Sequence, residues 1–429
     1  MKRGWKLGAA LLLLFVTGCG SAAADSAETM ANTAIVSKVQ PETLISYEGG
    51  TYLSARDDEN ALCLSGGTAV LEDITVQKIG GVATDIGAGD LDGMNAALLA
   101  KDGVNVSIAH AIISSTAQSG SGVFCRSEGS LVTIYNSVVT TSGDYAAGLQ
   151  TTKSGCIEAR SLTVKTSGHV AAAIRAVRDG GRLQVSGGKY TTSGFTSPAV
   201  YSTGEISVEN AVLTANNSEA LVLEGENSLH LKNCTVTGNM SRNQGESVNE
   251  NVQTVMIYQS GSGIAQTGQA VFTMTGGSLT SLSGDMFYIT NLPCKLHLSE
   301  VELQSEDPEG LFLQVTGNDG SQGWGEAGHN GAQVIFVAEK QQISGDIEVD
   351  AISTLHMELQ AGSVWSGALR MIVSGKGNPD TIVVKIAEGC EWNLTGDSFV
   401  GTLENAGSIV FNGYTITLAD GTILQEDKK

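Results

Sequence analysis

The sequence predicts an all-β fold: a right-handed parallel β-helix, a solenoid whose repeats shorten into a C-terminal cap region. Three observations lead there. Glycine is abundant at 54 residues, proline scarce at 5, and aromatic residues make up only 5%, a mixture suited to short strands and tight turns. The stretch "SVVTTSGDYAAGL" returns as "SLTVKTSGHVAAAI" and again as "GKYTTSGFTSPAV". Within each copy the apolar positions mostly alternate, which is the period of a strand with one buried face.

Taken in chain order, the first element is a leader. "MKRGWK" is basic and "LGAALLLLFV" apolar, and the apolar run is too short for a membrane-spanning helix, so it reads as an export signal. It ends in "VTGCG". The segment resembles a bacterial lipoprotein signal, which makes residues 1–18 the expected signal peptide and Cys19 the expected lipidated first residue. Thr17 is a small but unusual occupant of that box. An ordinary secretory signal with a chance cysteine is the alternative. Residues 19–45 then form the lipidated cysteine and a tether of small polar residues.

Residues 46–331 carry the repeat. One column holds Val132, Ile157, Leu183, Ile206 and Leu229, and two residues later come Ile134, Ala159, Val185, Val208 and Leu231. A turn position follows (Asn136, Ser161, Gly187, Asn210, Asn233), then a column of Val139, Val164, Tyr190, Leu213 and Val236. A fourth column is expected at Leu149, Ile174, Val200 and Val222. Each unit of about 22–26 residues thus holds three short strands and three turns. No unit can bury its apolar face alone, so units stack, with like residues over like at about 4.8 Å per turn. Parallel crossovers dictate the right hand. A polar ladder is expected at Ser115, Thr141, Thr166, Thr192, Thr214 and Thr237, with hydroxyls bonding along the coil. Ala69, Leu71 and Val76 fit an early turn, and Phe272, Met274 and Leu279 should lie over Leu296, Leu298 and Leu303. Over residues 332–429 the spacing shortens, and this end reads as solenoid continuation and cap, which blunts an open sheet edge. A separate small β-domain is the alternative there.

The net charge is −21, and −24 once Lys2, Arg3 and Lys6 leave with the signal. Such a chain is a poor partner for nucleic acid or for anionic lipid, so membrane contact is expected only through the N-terminal lipid. Cys63, Cys125, Cys156, Cys234, Cys294 and Cys390 show no metal-ligand spacing and read as single thiols. No metal and no cofactor is expected. "DLDGMN" offers Asp90, Asp92 and Asn95, with Asp85 nearby, but a calcium loop begun at Asp90 needs an acid at its twelfth position and finds Lys101.

The stretches "GMNAALLAKDGVNVSI", "EISVENAVLTANNSEALVLEGENSLHLKNCTVTG", "VMIYQSGSG", "DMFYITN" and "WNLTGDSFVGTLENAGSIVFNGYTITL" resemble exported, adhesin-like β-helix repeat proteins of Gram-positive gut-type bacteria. The resemblance covers residues 60–420 and implies fold, export and lipid anchoring to the cell membrane, with no established reaction. The coil also resembles pectate-lyase-like folds and autotransporter passengers, but fold does not carry function.

Function on a solenoid is expected where insertions break the repeat. Residues 78–95 and 238–253 follow the second strand about six turns apart, roughly 29 Å at the spacing of stacked strands, too far for one compact site. Residues 259–269 and 316–331 follow the third strand about two turns apart and can meet. The latter loop carries Asp319, Trp324, Glu326 and His329, a mixture suited to binding sugar. Residues 153–189 form a basic belt of net +5, and its Arg175, Arg178 and Arg182 suit acidic groups on a polysaccharide. No catalytic motif is present: Asp57-Asp58 is the only adjacent Asp pair, and "GHNG" at 328–331 lacks the clustered acids of pectin hydrolases. The expected function is therefore a non-catalytic cell-surface lipoprotein, an adhesin-like scaffold presenting one face to glycans or to another surface. A polysaccharide lyase or glycoside hydrolase of pectate-lyase-like fold is the alternative.

Overall fold

The computed structural model describes residues 44–177, 180–244, 247–248, 251–261, 268–372 and 381–426. It is an all-β, right-handed parallel β-helix. Two sheets run the length of the coil, one of twenty strands and one of twelve, with smaller sheets toward the C-terminal end. Up to residue 305 the first and second strands of each turn share the larger sheet, which folds around a corner; in later turns the second strands (Gln342–Ser344, Val364–Ser366, Glu391–Asn393 and Ser408–Val410) form a separate four-stranded sheet. The third strands make the twelve-stranded sheet. Among the described residues no helix is long and apolar enough to cross a membrane.

Register follows the apolar columns. Val132, Ile157, Leu183, Ile206 and Leu229 pair in sequence, as do Ile134, Ala159, Val185, Val208 and Leu231. So do Val139, Val164, Tyr190, Leu213 and Val236, and Phe272, Met274 and Leu279 lie over Leu296, Leu298 and Leu303. All are buried except Leu303, which packs half-buried against the same core. Because strand side chains alternate, this register places a continuous apolar core inside the coil and leaves every second residue outside.

The corner between first and second strands is left-handed at every level: Asn136, Ser161, Gly187, Asn210 and Asn233 have φ of 49°, 54°, 67°, 55° and 52°. Asparagine and glycine tolerate this conformation, which explains the repeated Asn. The repeated "TSG" has a second cause. A Cβ on Gly143, Gly168 or Gly194 would lie 1.9, 1.9 or 1.7 Å from a carbonyl oxygen of the turn below, so only glycine permits the stack to close.

Two expected columns need correction. Leu221, not Val222, continues Leu149, Ile174 and Val200, because the link from Leu213 to the third strand is two residues shorter than the one after Tyr190. The polar ladder runs Ser115, Thr141, Thr166, Thr192 and then Ala215 and Gly238, while Thr214 and Thr237 sit one column earlier and outside. Its hydroxyls bond within a turn rather than along the coil: Thr141 donates to the Ala146 carbonyl at 2.6 Å, Thr166 does the same to Ala171, and Ser115 accepts from Ala117 N at 3.3 Å.

Past Gly331 the larger sheet continues in parallel register through Gln333–Glu339, Thr354–Gln360, Ile382–Ile386 and Thr402–Asn405. Trp365 and Trp392 stack inside the coil at 4.6 Å, each donating its indole N–H at 2.9 Å to a glycine carbonyl. An antiparallel pair, Ile416–Leu418 with Ile423–Leu424, ends the coil. Cys63, Cys125, Cys234, Cys294 and Cys390 are buried and Cys156 half-buried, and none of these six forms a disulfide.

Candidate functional site

The third-strand sheet differs from the rest of the wall because its outward column is apolar and aromatic rather than Ser/Thr-rich. Cys63, Leu99 and Phe124 come first, then Gln150 and Arg175, then Tyr201, Val222, Met256 and Tyr288, then Gln314, Glu348 and Arg370. Insertions cover this column in two places and leave a cleft between them.

Residues 78–95 roof the first part. A short helix, Ile86–Asp92, is capped by Asp85, whose side chain accepts from Ala88 N at 3.1 Å, and stops at Gly93 with φ 69°. A Cβ on Gly93 would lie 2.7 Å from Leu99 and 2.9 Å from Phe124, so glycine lets the helix end sit on those side chains. Cys63, Ala96, Leu99 and Phe124 form a small apolar cluster beneath it. The helix then climbs the coil. Asp90 accepts from both guanidinium nitrogens of Arg175 at 2.6 and 3.4 Å, and its carbonyl accepts from Gln150 at 2.8 Å. Asp92 pairs with Arg126 and, at 2.5 Å, with Lys153, while Thr152 donates to the Leu91 carbonyl at 2.8 Å. The acids that hinted at calcium are therefore a helix cap and two ion-pair clamps. Asn95 is buried and donates to the carbonyls of Gly81 and Gln118.

Beyond Arg175 lies a cleft of about 370 Å³, within the usual range of small-ligand sites. Val222, Met256, Tyr258 and Tyr288 form its apolar floor, with Tyr201 and Trp324 packed against them. The Tyr258 and Trp324 rings stand 4.8 Å apart at 57°, and the Arg175 guanidinium lies 5.7 Å from the Tyr201 ring centre. Glu219 is 8% exposed, accepts from Ser218 at 2.7 Å and from Gln253 at 3.0 Å, and has its carboxyl pushed up from the ordinary range by burial. At the other end of the same strand Glu224 accepts from the hydroxyls of Tyr201, Tyr258 (3.1 Å) and Ser260. Burial raises the phenol pKa of both tyrosines, with the neighbouring Glu224 adding to it. A second hollow, of about 890 Å³, adjoins the first and shares Arg175, Tyr201 and Tyr258 with it.

The loops at 259–261 and 316–331 meet, as their spacing suggested. Gly261 N donates to Gly323 O at 2.8 Å and Gly325 N to Gly261 O at 3.1 Å. Asn318 and Asn330, both buried, donate to the Trp324 carbonyl at 2.9 and 3.0 Å and hold the indole over Tyr258. Met240, Asn251 and Gln253 of the 238–253 insertion also border the cleft, while Asp90 of the 78–95 insertion borders the adjoining hollow. The helix climbs three turns toward the other insertion, but neither hollow is lined by described residues of both.

Of the residues the sequence singled out, Trp324 and Arg175 line the cleft. Asp319, Glu326 and His329 do not: all three are exposed on the outer side of their loop, and Asp319 is occupied with its own backbone at Ser321 N, 2.7 Å away. Arg182 is exposed on the first-strand wall, beside Cys156 rather than Arg175. Arg178 and Cys19 lie outside the described residues. The basic belt does not form one free face, because its Arg175 and Lys153 hold the 78–95 insertion. Sequence reading missed Tyr201, Glu219, Glu224, Gln253 and Tyr258. The available signal was the aromatic and apolar run at alternate positions of third strands whose other alternation already filled the core. No family model, curated protein or solved structure matches this chain.

Proposed function

We propose that this chain is an exported lipoprotein, anchored through Cys19, whose β-helix binds glycan in the third-strand cleft without cleaving it. One observation carries the reading: half-buried ring faces of Tyr201 and Trp324 lie beside fixed acceptors, Glu219 and Glu224, on an otherwise polar wall. Sugars are recognised by stacking on rings and by hydrogen bonds to oriented acceptors. The non-catalytic part rests on the acids. Glycoside hydrolysis needs two carboxyl groups roughly 5–9.5 Å apart, one of them free to exchange a proton. Glu219, before the strand Leu221–Glu224, borders the cleft and Glu224 the adjoining hollow, and three hydroxyls engage Glu224. The test is a panel of neutral and charged polysaccharides presented to the full chain carrying Cys19→Ala. Retention without new reducing ends is the expected result. New reducing ends would make the protein a lyase or hydrolase, and no retention on any polymer would end the glycan reading.

A further inference from the structure

Two features of the cleft favour a positively charged ligand: a buried acid without a cation, and aromatic ring faces. Glu219 is a buried carboxylate with no cationic partner among the described residues: its bonds are to Ser218 and Gln253. Gln253 is 3% exposed, and its Nε2 is committed to Glu219, which turns Oε1 toward the cleft. That oxygen is buried and has no hydrogen-bond partner. The reverse amide orientation would set two acceptors against each other, so the free oxygen follows from Glu219 itself. Beside this pair stand the Tyr258 and Trp324 rings, splayed at 57° with 4.8 Å between centres, and the Tyr288 ring closes the back. Ring faces carry negative quadrupole charge and attract cations. The one Lys or Arg among the described lining residues, Arg175, is neutralised by Asp90 at 2.6 Å.

A buried acid that the fold leaves without a counter-ion lowers stability, and two neutral hydrogen bonds offset only part of its desolvation. A ligand cation would supply that counter-ion and favour the charged form that burial disfavours. We infer that the cleft selects a glycan bearing a free ammonium group, an amino sugar that is not N-acetylated, with the ammonium at Glu219 and Gln253 Oε1 and the sugar face on the Tyr258–Trp324 rings. This rests on the glycan reading above and reverses the ligand charge that the basic belt had suggested.

Titration calorimetry on the full chain with Cys19→Ala tests it, using chito-oligosaccharides of one length, either fully deacetylated or fully acetylated, below the pH at which the amine loses its proton. The deacetylated oligomer is expected to bind at least tenfold tighter. Glu219→Gln should abolish that preference while leaving the weaker binding of the acetylated oligomer in place. Trp324→Ala, on the loop and away from the core, should weaken both oligomers. Equal affinity, preference for the acetylated oligomer, or a preference that survives Glu219→Gln in a folded variant would overturn the ammonium site. If neither oligomer binds, the ammonium site also falls. Retention of a neutral polysaccharide on the same protein would then keep the glycan reading alive, and its absence would remove both.

Discussion

The climb of the 78–95 helix along the coil depends on two acids of unequal strength, and removing each in turn measures how the roof is held. Asp90 meets Arg175 with two contacts, and the side chains are 21% and 9% exposed. Asp92 meets Arg126 and Lys153, with exposures of 39%, 21% and 41%. Breaking a fully buried ion pair by deleting one partner costs about 3–5 kcal/mol, and exposed pairs contribute about 0–1 kcal/mol each. Asp90→Ala falls between these limits at about 2–3 kcal/mol, since Arg175 is left nearly buried with only the Tyr201 ring beside it. Asp92→Ala, despite losing two partners, comes to about 1 kcal/mol because water replaces both.

These losses act on docking of the helix more than on the coil, whose strands keep all their pairings. Amide exchange across Ile86–Asp92 should therefore accelerate about 30- to 150-fold in Asp90→Ala and about fivefold in Asp92→Ala, at roughly 1.4 kcal/mol per tenfold. Amides of the third strands at Leu149–Thr152 and Leu221–Glu224 should hardly change. Asp90→Asn, which keeps an acceptor and loses the charge, should lie between wild type and Asp90→Ala. An Asp92 variant that exchanges faster than the Asp90 variant would refute the weighting by burial. Acceleration spread over the coil would show that the insertion is part of the core instead of a docked roof.

Three further expectations concern the coil and the cleft. Val185, 2% exposed between Ala159 and Val208, should not tolerate Asp: the unpaired buried carboxyl should cost more than about 4 kcal/mol in a denaturant melt, whereas exposed His329→Ala should leave the midpoint in place. The opposite order would mean the register is wrong. Burial pushes the Asp285 carboxyl from the ordinary 3.8 to about 6, so the folded state holds the proton more tightly than the unfolded chain. Its contribution is therefore intact below about pH 4 and lost as pH rises through about 6, a penalty of up to about 3 kcal/mol at neutral pH. Asp285→Asn keeps the acceptor for Leu311 N at 2.8 Å and should stabilise the protein at pH 8 but not at pH 4; equal melts at both would refute the shift. Tyr201→Phe removes one of the three hydroxyls on Glu224 and should lower stability in a denaturant melt by about 1.5–3 kcal/mol, the effect of one lost hydrogen bond to a charged group; an unchanged midpoint would refute that Tyr201 holds Glu224.

What the sequence made legible and what it hid divide along one physical line. Columns such as Val132 to Leu229 and Val139 to Val236 face a core continuous with their neighbours, so identical spacing repeats and the eye finds it. The cleft residues answer to no such constraint. Val222 shows the difference most sharply: placed in the core column, it is one residue from its true position, and in a strand one residue is the opposite face. Reading Val222 as core leaves Tyr201 and Met256 without a visible neighbour in the outward column. Glu219, just before the same strand, then looked like a turn residue. The loops behaved differently again. Trp324 was found because an indole among glycines has no other apolar partner, yet Asp319, Glu326 and His329 were grouped with it by proximity in sequence alone. A loop's side chains radiate, and of these four only Trp324, anchored by Asn318 and Asn330 through its own carbonyl, lines the cleft. Nor could charge spacing reveal that Arg175 faces an aspartate 85 residues earlier. A solenoid brings distant turns together on its outer wall without leaving any trace in the period of its inner one, so the face that repeats least is the face where chemistry can accumulate.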